Sequence, residues 1–421
     1  MARKHLIIGC GSAALSALEK IRSIAPDDQI RLVTREDCSP YSPTALPYLL
    51  SGRIDEEALW MRPKGFFEGL NSTLAKGKEV TQLSPAAKEV AFSDGTRESY
   101  DNLLIATGSE PVRPPIKGLD EAGFMGFRSM EDYRALESRL EGKKRVAVLG
   151  GGLIGMEVAI ALLETGRQVH IVEKETRLLP LYFDAQAEGL IREVFQREGA
   201  QLHTGLEARE VRKLNGVVDV GLSDGSSIQA DLLVTAVGVR AKTAFLSSSG
   251  VKLNRGIVVD DRMQTSVLDI YAAGDVAEAP GFFGEVGLNP ILPSAVAQGK
   301  AAGAAMAGKP EAYERWIPMN VFNFFGCTGF SVGTPMPAGA EFETISSSDT
   351  VNKNYGRLVL KDGRLVGAMF LNVAADPGIF GYLMRRKIDI GAFRQALLEK
   401  PREVSRHLMI AAEKKDSAVV E

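Results

Sequence analysis

A chain of 421 residues with 45% hydrophobic and 24% charged side chains has the length of two or three domains, each able to bury an apolar core. Its net charge of −3 leaves no basic surplus for phosphates and argues against nucleic acid as the main partner. Cys10, Cys38 and Cys327 form no CxxC pair and the four histidines are scattered, which excludes an iron–sulfur cluster held by this chain alone, offers no metal site and fits a reducing, cytoplasmic compartment.

The basic start Ala2-Arg3-Lys4, followed by the apolar Leu6–Leu18, imitates a signal peptide. Both parts are too short for one, and no stretch nears the roughly 18 apolar residues of a membrane span. A nucleotide fold explains the segment better. His5–Ile8 is a predicted strand running into Gly9-Cys10-Gly11-Ser12-Ala13-Ala14, a GxGxxA turn. A helix follows to about Arg22, then a strand, Ile30–Val33, closed by Thr34-Arg35-Glu36. Such a turn lets the backbone approach a diphosphate, and the helix N-terminus supplies amide donors. Glu36 is the nearest acid for a ribose, although Thr34 occupies the expected strand end.

Prolines interrupt Tyr41–Gly52, and helix signals resume at Asp55–Trp60. The β-like runs Glu79–Leu83 and Glu89–Phe92 flank a turn at Ser93–Thr96, and the strand Asp101–Ile105 ends in Ala106-Thr107-Gly108. Pro111–Gly118 reads as a linker and Met130–Leu140 as a helix. The strand Val146–Leu149 then enters Gly150-Gly151-Gly152-Leu153-Ile154-Gly155, a small-residue helix and a second strand, Val169–Val172, closed by Glu173. This is the dinucleotide fingerprint in full context. Gly150 permits the turn, Gly152 the approach of a diphosphate, and Gly155 the close packing of helix on strand. Glu173 can accept both hydroxyls of a ribose, and no arginine stands there to invite a 2′-phosphate. The alternative is a glycine-rich turn without a ligand. His170, inside the strand, is read as structural.

A helix at Phe183–Glu198 and a strand at Gln201–Thr204 precede a hairpin, Val217–Leu222 and Ser227–Gln229, around Asp224-Gly225. The strand Leu232–Val237 ends at Gly238. Both halves thus repeat one plan: a βαβ unit, a three-stranded excursion, and a strand ending at a glycine turn. Two such units imply two dinucleotides. After Ala241–Gly250, the runs Ile257–Asp260 and Ile270–Ala273 lead to Gly274-Asp275, and a helix spans Pro293–Ala307. From Trp316 onward, Val321–Phe325, Gly329–Gly333, Phe342–Ile345, Arg357–Leu360 and Leu365–Phe370 suggest an antiparallel sheet with its clearest turn at Lys361–Arg364. Helices at Gly378–Arg385 and Gly391–Glu399 close it, and Glu413–Glu421 reads as a frayed end. Phe322, Phe324 and Phe325 belong either to the core or to a partner-facing patch.

The GxGxxA at Gly9, Ala106-Thr107-Gly108, the GxGxxG at Gly150 and Tyr271-Ala272-Ala273-Gly274-Asp275 stand in the order found in FAD-dependent pyridine nucleotide-disulfide oxidoreductases. The resemblance covers nearly the whole chain and is strongest to the rubredoxin reductase, CoA-disulfide reductase and NADH oxidase branch. More narrowly, Tyr41–Gly52, Gly256–Ser266, Pro280–Phe283 with Asn289–Pro293, and Val321–Val332 resemble the FAD subunits of phenylglyoxylate dehydrogenase and of tungsten aldehyde:NAD oxidoreductases. The implied fold class is α/β, with two Rossmann-like three-layer domains plus a C-terminal α+β domain. Residues 1–113 and 246–314 would bind FAD, 114–245 would bind NAD(H), and 315–421 would form an interface or dimerisation domain.

The resemblance also implies roles. FAD would lie on Gly9, Gly11, Ser12, Ala13 and Ala14, with Arg35, Glu36, Thr44 and Val80 nearby. Ala106, Thr107 and Gly108 would approach it, Gly274 and Asp275 would hold its ribityl chain, and the helix starting at Leu292-Pro293 would face its pyrimidine. The alternative for Asp275 is a turn cap. NAD(H) would lie on Gly150, Gly152, Leu153, Ile154, Gly155 and Glu173, with Gly238 close by. Glu157 matches a glutamate beside the nicotinamide, or is a polar residue on a helix flank. Thiol-dependent members carry a cysteine just before a Gly-Leu-Pro-Tyr-like run. Here the run is Ala45-Leu46-Pro47-Tyr48, so that position is Thr44, which with Pro43 would face the flavin. Threonine has no thiolate, and Cys10 and Cys38 do not align with it.

The expected activity is therefore hydride transfer between NAD(H) and flavin, with single-electron exchange to an iron–sulfur subunit or ferredoxin-like protein of an aldehyde or 2-oxoacid oxidoreductase complex, the chain being one member of a hetero-oligomer. The alternatives are a stand-alone rubredoxin or ferredoxin reductase, an NADH oxidase, and a non-catalytic FAD scaffold.

Overall fold

The computed structural model describes residues 2–417, and the chain divides into two compact units. The first comprises Met1–Val112, Gly126–Ser138 and Gly238–Trp316. At its centre is a five-stranded sheet in the order Ile270–Ala272, Asn102–Ile105, Lys4–Ile8, Gln29–Val33, Ser72–Ala75, parallel throughout. Its central strands are buried on both faces, so they read as unbroken apolar runs such as Leu6-Ile7-Ile8 and Leu103-Leu104-Ile105. The helix Ser12–Ile24 buries Ala13, Ala14 and Ala17 and packs against the helix Leu292–Met306. A Cβ on Gly299 would sit 2.2 Å from the Ala13 carbonyl oxygen, so small contact residues are what let the two backbones meet.

Three details of this unit differ from the sequence reading. The Asp55–Trp60 segment forms only a 3-10 turn at Glu57–Leu59. In the proline segment, Pro43 and Pro47 each sit in the first turn of an element, a 3-10 turn at Pro43–Ala45 and a helix at Leu46–Leu50, where a missing N–H costs nothing. The Ser93–Thr96 turn joins Glu89–Phe92 to a further strand, Arg97–Ser99, while Pro85–Ala87 connects Val80–Ser84 to Glu89–Phe92. Arg97-Glu98-Ser99 is too polar to read as a strand, but an edge position needs only backbone pairing.

The second unit comprises Arg113–Met125, Arg139–Val237 and Ile317–Glu421. It contains a parallel sheet in the order Gln201–Thr204, Gln168–Glu173, Arg145–Leu149, Leu232–Thr235 and an antiparallel three-stranded sheet of Ala208–Leu214, Val217–Leu222 and Ser227–Ala230. A further antiparallel sheet runs Met319–Phe324, Cys327–Gly333, Arg364–Leu371, Asn354–Lys361, Glu343–Asp349. Its hairpin turns through Asp362 and Gly363, both at positive φ (51° and 73°), the geometry an Asp-Gly pair favours. Because residues 315–421 carry their own sheet, we retain their separate domain status as a proposal.

Phe322 and Phe324 are buried and stack on Phe195 with centroids 6.3 and 5.9 Å away, while Phe325 meets the same ring edge-on. They therefore join the C-terminal sheet to the helix Ala185–Arg197. Asp184 caps that helix by accepting from the Gln186 and Ala187 amides. It also accepts from the Tyr355 hydroxyl and, at 3.0 Å, from Arg357. A helix, Pro401–Ser417, anchored by buried Pro401, Ser405 and Leu408, runs into the Glu413–Glu421 segment. The last four residues of that segment lie outside the described residues.

Replacing Asp184 by Ala removes a helix cap and the carboxylate that accepts from a buried tyrosine hydroxyl, together about 3 kcal/mol. Urea unfolding of D184A should show a lower midpoint with an unchanged slope, and an unchanged midpoint would refute the coupling.

Candidate dinucleotide-binding sites

In the first unit, Gly9 leaves its strand at φ +117°, and a Cβ there would lie 2.1 Å from the carbonyl oxygen of Ala106. Only glycine satisfies both conditions. Gly11 is the N-cap of the following helix, with no side-chain cap and open space where a Cβ would point. The amides of Ser12, Ala13 and Ala14 have no helical carbonyl to bond, so the turn presents donors around an open cradle suited to a diphosphate.

Gly274 adjoins this turn: its amide donates to Gln298 at 2.8 Å, and a Cβ on it would come 3.2 Å from that of Ala13. Asp275 Oδ2 accepts from Arg128 at 2.6 Å and Ser109 at 3.0 Å, and Arg128 also donates to Ser109 at 3.2 Å. Both contacts fall on one oxygen, so among the described residues Oδ1 is left for a ligand hydroxyl. Leu292 and Pro293 open the helix whose N-cap, Ile291, provides no side-chain cap.

Glu36 is steered by a residue the sequence reading did not weigh. The buried Tyr41 hydroxyl accepts from the Met130 amide at 2.8 Å and hydrogen-bonds to Glu36, and burial together with that carboxylate holds the phenol well above its ordinary pKa. Thr34 turns inward to the loop, accepting from the Glu36 amide at 3.3 Å. Arg35 pairs with Glu79 at 3.7 Å, one residue before Val80. Pro43 and Thr44 lie on their short turn, with the exposed Thr44 hydroxyl 2.8 Å from that of Ser42. Thr107 donates to the Lys242 carbonyl at 2.9 Å.

The second unit repeats the device. Gly150 has φ +106°, and a Cβ on it would lie 2.3 Å from the Ala236 carbonyl oxygen; one on Gly155 would lie 1.9 Å from that of Gly150. Gly152 is an uncapped N-cap in open space, leaving the amides of Leu153, Ile154 and Gly155 for an anion. Buried Glu173 accepts from the Gly151 amide at 2.6 Å and the Glu175 amide at 2.8 Å, one on each oxygen. A carboxylate has about four lone-pair sites, so a ribose can still be bound. Glu157 is half-buried on this helix. Gly238 falls in the first unit, at φ +127°, where its carbonyl accepts from Val112 at 2.9 Å.

Sequence reasoning missed Arg128, Ser109, Tyr41 and Gln298. Only Gln298, a polar residue within a small-residue helix, carried a readable signal. Among the described residues no group of three or more His, Cys, Asp or Glu could hold a metal, and no helix is long and apolar enough to cross a membrane.

Two glycine turns, each with an acid beside it, define a protein built to handle two dinucleotides. The pyridine nucleotide-disulphide oxidoreductase family model matches residues 3–301, and the rubredoxin NAD+ reductase C-terminal domain model matches 318–387. The chain belongs to the pyridine nucleotide-disulphide oxidoreductase family, which binds FAD and NAD(H). It is 36% identical over 411 residues (96% of this chain, 97% of the relative) to the NADH-dependent phenylglyoxylate dehydrogenase subunit epsilon of Aromatoleum evansii. It is 31% identical over 306 residues (72% and 80%) to rubredoxin-NAD(+) reductase of Pseudomonas putida. A ferredoxin reductase from Rhodopseudomonas palustris superposes with a TM-score of 0.81 at 25% identity, covering 89% of this chain and 93% of that one.

The cysteines beside the first turn are held as neutral thiols. Burial, then nearby Cys38, pushes Cys10 up to about 12; burial, then Glu36, pushes Cys38 up to about 11. Alkylation of Cys38 by iodoacetamide should therefore keep accelerating as the pH rises through 10. A rate that levels off near the ordinary thiol value would reveal an available thiolate.

Proposed function

We propose that this chain is the NADH-reactive flavoprotein of an electron-transfer system, exchanging single electrons with an iron–sulfur subunit of an aldehyde or 2-oxoacid oxidoreductase complex. The observation that carries the reading is Thr44, a hydroxyl where thiol-dependent members hold their redox cysteine, in a unit whose two cysteines, Cys10 and Cys38, stay neutral. With no thiolate as intermediate carrier, the flavin is left to act directly. The likeness to a subunit of a larger dehydrogenase along nearly its whole length supports a dedicated partner.

FAD, when bound, supplies an acceptor for hydride that can release electrons one at a time. The chain's part is to hold and orient. The amides after Gly152 would bind the NADH diphosphate, and Glu173, already fixed by two loop amides, would accept from the adenosine ribose. Glu157 would lie beside the nicotinamide and Pro43 and Thr44 would face the flavin. Asp275, braced by Arg128 and Ser109, would accept a ribityl hydroxyl, and Glu36 the hydroxyls of the FAD ribose. A second reading, a stand-alone rubredoxin reductase, is favoured by the match of residues 318–387 to the rubredoxin reductase C-terminal domain. Copurification of the native chain with an iron-containing subunit separates the two.

The test is an anaerobic titration of the FAD-loaded chain. NADH should bleach the flavin stoichiometrically, while oxygen reduction stays slow; a flavin untouched by NADH would leave only a scaffold role. Separately, a 2′-phosphate would meet the Glu173 carboxylate, so kcat/KM for NADPH should fall at least about tenfold below that for NADH. Equal values would refute the assignment of Glu173.

A further inference from the structure

Lys242 is pinned by its backbone to the turn that closes over the first dinucleotide site. It follows the strand Val239–Ala241, which pairs antiparallel with Ser109–Pro111. Its amide donates to the Gly108 carbonyl at 3.0 Å, and its carbonyl accepts from the Thr107 hydroxyl at 2.9 Å. The same turn presents the Ala106 carbonyl against Gly9. Lys242 is thus fixed at the edge of the diphosphate cradle, on a segment far from either glycine motif in sequence.

The surrounding charges are otherwise matched. Arg35 has Glu79 at 3.7 Å, Arg128 has Asp275 at 2.6 Å, Glu110 has Arg240 at 2.8 Å, and Glu36 has Tyr41 and the Cys38 thiol. Lys242 is half-buried in the field of Arg35, Glu36, Arg128 and Glu110, and its ammonium makes no hydrogen bond or ion pair among the described residues. Burial, then the field of Arg35, holds the amine below its ordinary pKa. A half-desolvated cation near two arginines is unfavourable in the empty chain. It becomes favourable when an anion enters to complete the set.

We propose that the Lys242 ammonium binds the diphosphate of FAD, so that apoprotein stability is given up for flavin retention. This rests on the reading of the first turn as the FAD site. The diphosphate is the anionic part of that ligand, and Lys242 is tied through Thr107 and Gly108 to the turn whose Ala106 carbonyl lies against Gly9. Neither a carboxylate nor a neutral ligand would compensate a lysine flanked by Arg35 and Arg128 as fully.

The experiment uses the full chain, stripped of flavin, as wild type, Lys242→Gln and Lys242→Arg. FAD affinity is read by flavin fluorescence quenching at several salt concentrations, and apoprotein stability by thermal unfolding. Losing a charge-assisted contact should weaken FAD binding in K242Q by roughly 10- to 100-fold and flatten its salt dependence. K242R should recover most of the affinity, because the charge remains. The K242Q apoprotein should melt at or above the wild-type temperature, since a desolvated cation is gone. FAD affinity in K242Q within about twofold of wild type would overturn the proposal, as would an apoprotein that melts lower, the mark of a purely structural lysine. Failure of the wild-type apoprotein to bind FAD at all would instead refute the underlying assignment of the site.

Discussion

The structure depends on two places where backbone meets backbone with no room for a side chain. Gly9 lies against the Ala106 carbonyl and Gly150 against that of Ala236, and the flanking hydrogen bonds are the same. The Gly9 amide donates to Val33 and that of Ala106 to Ile8, each at 2.8 Å; the Gly150 amide donates to Val172 at 2.8 Å and that of Ala236 to Leu149 at 2.7 Å. Each turn is thereby locked into the register of its own parallel sheet at the point where strand order reverses, which opens a crevice at the carboxyl ends of the strands. The glycines make the turn possible, and the register makes it rigid. Donors for an anion then exist before any ligand arrives, so little ordering remains to be done on binding.

The acids around the two turns are prepared in three different ways. Loop amides grip both oxygens of Glu173, a tyrosine steers Glu36, and an arginine with a serine braces Asp275 on one oxygen. In each case a ligand hydroxyl, on the function proposed above, would join an existing network without having to order a mobile side chain. The partly exposed Arg128–Asp275 pair (22% and 16%) contributes little to stability by itself. Its effect is to fix direction. Lys242 is the exception, a cation whose charged neighbours already have partners of their own.

Much of this architecture was legible because dinucleotide binding constrains sequence within a few adjacent residues. Gly150, Gly152, Gly155 and Glu173 form one continuous pattern, and the helix Met130–Leu140 and strand Gln201–Thr204 fall where periodicity places them. What was not legible depends on contacts across the chain. Arg128 meets Asp275 across 147 positions, and Tyr41 meets Met130 across 89. No local pattern announces either. The helix Pro401–Ser417 went unassigned for a related reason, since a few buried residues among many charged ones carry little signal until the surface they pack on is known. Polar edge strands such as Arg97–Ser99 were missed because pairing, not side-chain pattern, creates them.

The same distinction explains why the nucleotide chemistry was easier to read than the partner. Hydride transfer demands contact between two rings, so both cofactors must be held to within a fraction of an ångström, and that demand is written into the glycine turns. Electron transfer to another protein tolerates distance and asks only for a complementary surface, which many sequences can supply. Proximity alone is also a poor guide to reactivity: Cys10 stands inside the first glycine turn and Cys38 beside it, yet burial keeps both protonated. A residue's chemistry here follows from its surroundings, and a place beside the turn is not enough to make either cysteine reactive.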